Sequence, residues 1–439
     1  MHNLALALKA AGHQVSGSDD AIFEPSKSRL EAAGLLPSST GWDPGRIHGD
    51  LDAVILGMHA REDNPELAKA QELGLPVYSF PEYIRMHSAH KQRIVIAGSH
   101  GKTTITSMVM HVLKGLNKDF DYVVGAQVDG FDTMVRLSDA PVIVIEGDEY
   151  LSSALDRRPK FINYEHHIGV VSGIAWDHAN VFPTLDDYVQ QFELFADATP
   201  KAGTLIYCED DDITTVICRK ERFDVNRDEY STHPHKVKDD GTYLKTDEGK
   251  VKVQVFGKHN MQNIAAALAV CKRIGILEKE FYSQISSFRG AARRLELVAE
   301  NEESKIYRDY AHSPSKVKAS TTAFAEQFGG DKMVACLELH TYSSLNKNFI
   351  EQYRGAMDSP GTAIVYYNPE VVGAKQLEAI SEEDIRQAFD RKDLQVFTDS
   401  AQLVEHLKSL PWSGKSLLMM SSGNFDGIDA KSLAGELIG

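Results

Sequence analysis

The run Gly98-Ser99-His100-Gly101-Lys102-Thr103-Thr104 carries the residue types best suited to gripping a phosphate chain. Two glycines let backbone N–H groups close around phosphate oxygens. Lys102 adds a point charge for the β- and γ-phosphates, and Thr103 opens a helix whose positive end faces the same anion. The apolar run Ile94–Ala97 reads as the strand that feeds this loop. A full P-loop would place a glycine at position 96; Ile96 stands there, so the loop is a shortened one.

Further along, acids occur where the same ligand would need them. Val142-Ile143-Val144-Ile145 reads as a buried strand, continued by Glu146-Gly147-Asp148-Glu149-Tyr150. A carboxylate at the C-terminal edge of a strand beside a phosphate loop is where the Mg²⁺ of a nucleotide needs an oxygen ligand, and Glu146 emerges there first. The arrangement repeats after the strand Ile168–Ser172, in Gly173-Ile174-Ala175-Trp176-Asp177-His178. His178 reads as the ligand of a second metal, as a donor to a charged intermediate, or as a structural loop histidine. Asn260 reads equally as the N-cap of a helix or as an amide contacting a nucleobase. Asp309 ends a strand and suits a ribose hydroxyl. His312 lies just beyond it, and Ser313 then caps a helix with Pro314 at its first position. His340 ends the following strand, where it would face the same crevice.

These residues need strands and helices to position them. The chain has 439 residues, 42% hydrophobic and 25% charged, which is a globular composition of about two to four domains. Its formal charge of −16 argues against a nucleic-acid surface but leaves room for a nucleotide held by a local lysine and a metal. Cys208, Cys218, Cys271 and Cys336 lack ligand spacing and read as buried thiols of a cytoplasmic protein. No apolar run reaches membrane-spanning length, so no membrane partner is expected.

Residues 1 to 88 alternate strand-like pieces (Gln14–Gly17, Ala53–Leu56, Val77–Ser79) with helix-like ones (Met1–Ala11, Ser26–Ala33, Pro65–Leu73, Pro81–Met86), predicting a small parallel α/β domain. The chain opens inside a helix pattern, which predicts that a strand and Gly-rich turn normally precede Met1. A second domain over 89–290 holds the phosphate loop, a helix from Leu185, a β-rich section Tyr230–Phe256 and a helix Met261–Ile274. The third, over 291–439, is read as doubly wound, with strands Ile306–Asp309, Met333–Leu339, Ala363–Tyr367, Gln395–Phe397 and Ser416–Met420.

Taken together, these motifs resemble the ATP-dependent Mur ligases of peptidoglycan assembly, through all three segments and through Arg293-Arg294 between the last two. The resemblance implies a three-domain α/β architecture: a Rossmann-like N-terminal domain for the UDP-sugar, a central P-loop ATPase domain, and a Rossmann-like C-terminal domain for the incoming amino compound. It implies ATP and Mg²⁺ as cofactors. Gly98, Ser99, His100, Gly101, Lys102, Thr103, Thr104, Asn260, Arg294 and Asp309 would then contact ATP. Thr103, Glu146 and His178 would hold metal, with Lys102, Glu146 and His178 catalytic, and Tyr150, His312 and His340 would meet substrate.

Within the family, Glu149-Tyr150 and the stretch Asp156-Arg157-Arg158-Pro159-Lys160-Phe161-Ile162-Asn163-Tyr164 are most similar to the murein peptide ligase branch. That branch joins UDP-N-acetylmuramate to L-alanyl-γ-D-glutamyl-meso-diaminopimelate through an acyl phosphate. The alternative is the branch that adds L-alanine. The helix Tyr188-Val189-Gln190-Gln191-Phe192 offers no lysine of the kind that branches adding later residues often modify. Gly147, where alanine is usual, and Ser313, where a second histidine is common, depart from the family pattern. A P-loop switch, or a muramyl-nucleotide-binding regulator, is the non-enzyme alternative; a monomer or dimer is expected.

Overall fold

A computed structural model describes residues 1–178, 181–238 and 240–439 of the chain. The chain divides into two compact units, one of Met1–Gly98, Val112–Ser172 and Gln190–Glu229, the other of Ser99–His111, Gly173–Val189 and Tyr230–Gly439. Among the described residues no helix is long and apolar enough to cross a membrane. All four cysteines are buried, and none is in a disulfide.

In the first unit the N-terminal segment forms the helices His2–Ala10, Ser26–Ala32, Pro65–Glu72 and Phe80–His87, with Val54–Leu56 paired in parallel to Val77–Ser79. The expected strand Gln14–Gly17 is not one. Only Val15 there is apolar, its neighbours are exposed, and no strand among the described residues supplies its ladder partner. Phe80–His87 begins with a capping box: Ser79 accepts from the Glu82 amide while Glu82 accepts from the Ser79 amide.

The main sheet of this region has seven strands, in the order Val135–Arg136, Asp121–Val123, Val142–Glu146, Gln92–Ala97, Ile168–Val171, Thr204–Cys208, Asn226–Tyr230. Gln92–Ala97 is central and buried from Arg93 on, with parallel neighbours on both sides. A strand covered on both faces must be apolar throughout, which is why Ile94-Val95-Ile96-Ala97 lacks alternation. Register sets Ile96 opposite Glu146 and Ala97 opposite Val171. Ile96 is thus a ladder residue, which explains why no glycine occupies it.

The second unit contains a three-stranded antiparallel sheet (His235–Lys238, Gly241–Thr246, Gly249–Val253) and a six-stranded sheet. The latter runs Glu296–Glu300, Lys305–Asp309, Ser416–Met420, Met333–Leu339, Thr362–Tyr367, Gln395–Phe397. Five strands are parallel, and the edge strand Glu296–Glu300 is antiparallel to Lys305–Asp309. That edge was not expected from the sequence, because Glu296 and Glu300 mask a strand whose charge is met locally: Arg308 donates to both Glu296 oxygens at 2.9 and 2.8 Å. Alternate residues go to opposite faces. Leu337, Val365 and Leu418 enter one core, and Cys336, Ile364 and Leu417 the other. Both faces are therefore covered and every parallel strand ends at one edge.

Candidate active site

The phosphate loop is shaped by its own glycines. Gly98 (φ +132°) and Gly101 (φ +75°) adopt backbone angles that a side chain disfavours. At Gly101 there is also no room: a Cβ would lie 2.3 Å from Asn263 Oδ1. The helix Lys102–Gly115 starts at once, with Ile105 N–H donating to Gly101 O at 2.8 Å. Thr103 and Thr104 are buried in its first turn. Ser99 is braced inward. Its amide donates to Gly173 O at 2.9 Å, and its Oγ accepts from Ala175 N–H at 2.9 Å and meets Tyr188 Oη at 3.0 Å. Its side chain serves the loop's shape.

Asp177 is the hub of the charged groups around this loop. Lys316 Nζ donates to its Oδ2 at 3.0 Å, and the His178 amide donates to its Oδ1 at 2.8 Å. The His178 ring nitrogen Nδ1 lies 3.7 Å from Oδ1. Burial opposes ionisation of Asp177, but Lys316, His178 and His312 outweigh it and hold the carboxyl well below the usual range. His100 is pushed down to about 3, first by burial and then by the Lys316 charge, with Lys102 adding to it. The two lysines thus act on one imidazole, which stays neutral. His178 has φ +57°, a conformation that costs a non-glycine residue energy and that functional loops often retain.

His312 is buried and hydrogen-bonded through Nδ1 to Tyr310 O at 2.8 Å. A carbonyl only accepts, so Nδ1 carries the proton and Nε2 keeps its lone pair. Burial, then Lys316, lowers its pKa to about 4. Tyr353 Oη donates to His312 O and fixes the turn.

The residues expected at the nucleoside form a second group. Arg294 lies over the Tyr310 ring at 4.7 Å, a cation–π contact. Asp309 is buried and accepts from Ser320 Oγ. His259 is near both: burial lowers its pKa, Asp309 raises it and Arg294 lowers it. Asn260 is not the N-cap, since Gly257 holds that position. Its Nδ2 donates to Phe256 O at 2.9 Å and its Oδ1 accepts from Asn263 at 3.3 Å. His340 has a different neighbour: its Nδ1 lies 3.7 Å from the buried Glu338. Ser313 occupies the N-cap position of Pro314–Phe328, but its side chain makes no capping bond, contrary to expectation.

In the first unit, Glu146 accepts from Gly125 N–H at 2.7 Å. Asp148 is engaged by Lys160 at 3.0 Å, and Glu149 is buried, which leaves Glu146 as the acid placed by the strand end itself. Tyr150 O accepts from Lys160 N–H at 2.8 Å. Gly147 is explained by packing, because a Cβ there would lie 2.7 Å from Val95 Cγ1 and 3.1 Å from Ile96 O. The segment after Tyr150 is clasped by Asp156, which takes Arg158 bidentately at 2.9 and 2.7 Å and Asn163 at 2.7 Å.

Sequence reasoning did not single out Asn263, Lys316 or Ser320. The spacing of Asn260 and Asn263 puts both on one helix face and was a usable signal. Lys316 carried none, as a lysine in a first helical turn is ordinarily solvated. Thr103 and Glu146, one in each unit, each carry a hard oxygen, the donor type that Mg²⁺ takes beside water and phosphate. Among the described residues no three His, Cys, Asp or Glu side chains group as a metal site. Both Asp177 oxygens are already engaged, so His178 would bring a second metal one imidazole and no adjoining carboxylate.

Three family profiles match in sequence: one described as the Mur ligase family catalytic domain over residues 1–92, the Mur ligase middle domain over 96–271, and the Mur ligase glutamate ligase domain over 293–423. The chain is 32% identical to the UDP-N-acetylmuramate–L-alanine ligase of Caldicellulosiruptor bescii, over 83% of this chain and 80% of that one. It is 26% identical to the UDP-N-acetylmuramate–L-alanyl-γ-D-glutamyl-meso-2,6-diaminoheptandioate ligase of Haemophilus influenzae, over 99% and 96%. Its fold is similar to the murein peptide ligase of Psychrobacter arcticus (TM-score 0.67, 22% identity, 100% of this chain and 96% of that one). It is also similar to the UDP-N-acetylmuramate–alanine ligase of Thermotoga maritima (TM-score 0.71, 19% identity, 100% and 95%).

Proposed function

The chain belongs to the Mur ligase family of ATP-dependent ligases, and on that premise we propose that it joins UDP-N-acetylmuramate to L-alanyl-γ-D-glutamyl-meso-diaminopimelate in peptidoglycan recycling. Residues 1–88 would bind the UDP-sugar, 89–290 ATP, and 291–439 the peptide. The carrying observation is the cluster of Lys102, His100, Asp177, His312 and Lys316, in which two ammonium groups flank a loop built for phosphate.

A free carboxylate is a poor electrophile, so the lactoyl carboxylate is first phosphorylated. A carboxylate oxygen bonds to the γ-phosphorus, the bond from that phosphorus to the β-bridging oxygen breaks, and ADP leaves. The peptide amine then attacks the acyl carbon, losing a proton, and phosphate departs from the tetrahedral intermediate. This chain's contribution is charge neutralisation and positioning. Lys102 and the loop amides hold β- and γ-oxygens, while Arg294 and Asp309 clamp the nucleoside side, with Asn260 behind them. Thr103 and Glu146 would hold Mg²⁺, which supplies charge to the phosphate oxygens, and His178 a second ion. Tyr150, His312 and His340 are assigned to the muramyl and peptide ends.

Glu149-Tyr150 and the stretch 156–164, which resemble the murein peptide ligase branch, support the tripeptide as acceptor. L-alanine is the second reading, supported by the 32% identity to an alanine ligase. ADP release is measured with UDP-N-acetylmuramate plus either tripeptide or L-alanine, with the ligated product weighed by mass spectrometry. Preference for tripeptide is expected; preference for alanine selects the second reading, and no stimulation by either rejects both.

A further inference from the structure

The helix Pro314–Phe328 begins with polar groups that its own chain leaves unmet. Ser313 stands at the N-cap, where a serine oxygen ordinarily accepts from an amide of the first turn, yet it makes no such bond. Its residue is 3% exposed, and its Oγ has no hydrogen-bond partner among the described residues. Pro314 has no N–H, and the first turn has no side-chain cap at the positive end of this 15-residue helix. Lys316 from the same turn reaches back to Asp177 at 3.0 Å, and its side chain is only 20% exposed. Asp177 is already engaged by Lys316 and the His178 amide. The neighbouring His100 and His312 are neutral imidazoles near pH 7. A buried hydroxyl, first-turn amides without a side-chain cap and an ammonium group together select an anion with several oxygens.

We propose that Ser313 Oγ, the first-turn amides of Pro314–Phe328 and Lys316 Nζ form a second anion site, which takes the phosphoryl group as it moves to the carboxylate and holds it until it leaves as inorganic phosphate. The inference rests on the ligase reading above. Lys316 exchanges Asp177 for a phosphoryl oxygen and keeps its proton throughout. The bonds made and broken are those of the phosphoryl and acyl transfers already described.

The test uses the whole chain with Lys316→Ala, Lys316→Arg and Ser313→Ala. The ADP dissociation constant is measured by calorimetry, and product inhibition of ligation by inorganic phosphate is measured beside kcat. Lys316→Ala is expected to leave ADP affinity within about twofold, to weaken phosphate inhibition at least about tenfold and to lower kcat similarly, with arginine restoring most of both. Ser313→Ala should weaken phosphate inhibition about threefold or more without loss of thermal stability. If Lys316→Ala fails to fold, Ser313→Ala decides, because a merely structural hydroxyl leaves phosphate inhibition unchanged. Wild-type ligation with phosphate inhibition unmoved by either variant overturns this site alone. A wild-type chain that neither binds ADP nor ligates overturns it together with the ligase reading.

Discussion

Asn263 Oδ1 stands where a side chain at Gly101 would begin, 2.3 Å from the Cβ position. The helix Lys258–Arg273 thus sets how close the phosphate loop can lie, and the loop's φ of +75° at that point closes off the other route to a side chain. Gly101→Ala should lower ATP affinity at least about tenfold, by calorimetry. Adding Asn263→Ala should recover part of the loss, since the clash is relieved and the φ strain is not. Unchanged affinity in the single variant would show that the loop does not take the nucleotide.

Lys102→Ala leaves the Gly98, Ser99 and Gly101–Asn263 contacts that shape the loop in place and removes the charge meant for the β- and γ-oxygens. Ligation should fall at least about a hundredfold while the thermal midpoint stays within a few degrees. Wild-type turnover in this variant would remove the phosphate-loop assignment.

Gly147 answers to packing. A methyl group there meets Val95 Cγ1 at 2.7 Å and Ile96 O at 3.1 Å. Gly147→Ala should cost about 1–3 kcal/mol in urea unfolding. Val95→Ala should make the second substitution cheaper than it is alone, because the tightest clash is then gone while Ile96 O at 3.1 Å and Phe161 Cβ at 3.2 Å remain.

The buried histidines predict a pH profile. His166, stacked 4.3 Å from the Phe195 ring and donating or accepting at Thr199 Oγ1 over 2.9 Å, has its pKa lowered by burial to about 3, and His312 is lowered to about 4. Unfolded, each takes a proton near the ordinary histidine value of 6.5, so the unfolded state binds more protons and stability falls as pH drops below about 6.5. Each histidine adds about 1.4 kcal/mol per pH unit to that slope between its two pKa values. Asp177, with its folded pKa depressed, extends the loss below the ordinary aspartate value of 3.8. Urea midpoints at pH 7, 6 and 5 should decline, and His166→Phe should flatten the slope by about one proton. A slope identical in wild type and variant would show that His166 is not excluded from protonation.

Much of the architecture was legible because it follows from local periodicity. Ile94–Ala97, Val142–Ile145 and Met333–Leu339 are apolar without interruption, and only a strand covered on both faces allows that. Gln14–Gly17 failed and Glu296–Glu300 was overlooked for a shared reason: a strand exists through its neighbour, and neither segment announces one. Val15, half-buried between exposed neighbours, has none among the described residues, whereas the charged Glu296 finds both a ladder partner and the Arg308 guanidinium.

The sequence alone carried the phosphate loop, the acid at the end of its neighbouring strand and the Asp309–His312 turn, since each is a short run whose spacing is itself the chemistry. Tertiary structure decided the rest. It put Lys316 on Asp177, 139 positions away. It turned Asn260 inward to Phe256 O, denied Ser313 its cap and made Gly101 obligatory through Asn263. A charge, a hydroxyl or a missing methyl group has no meaning until something stands opposite it, and what stands opposite is chosen by how elements far apart in the chain pack.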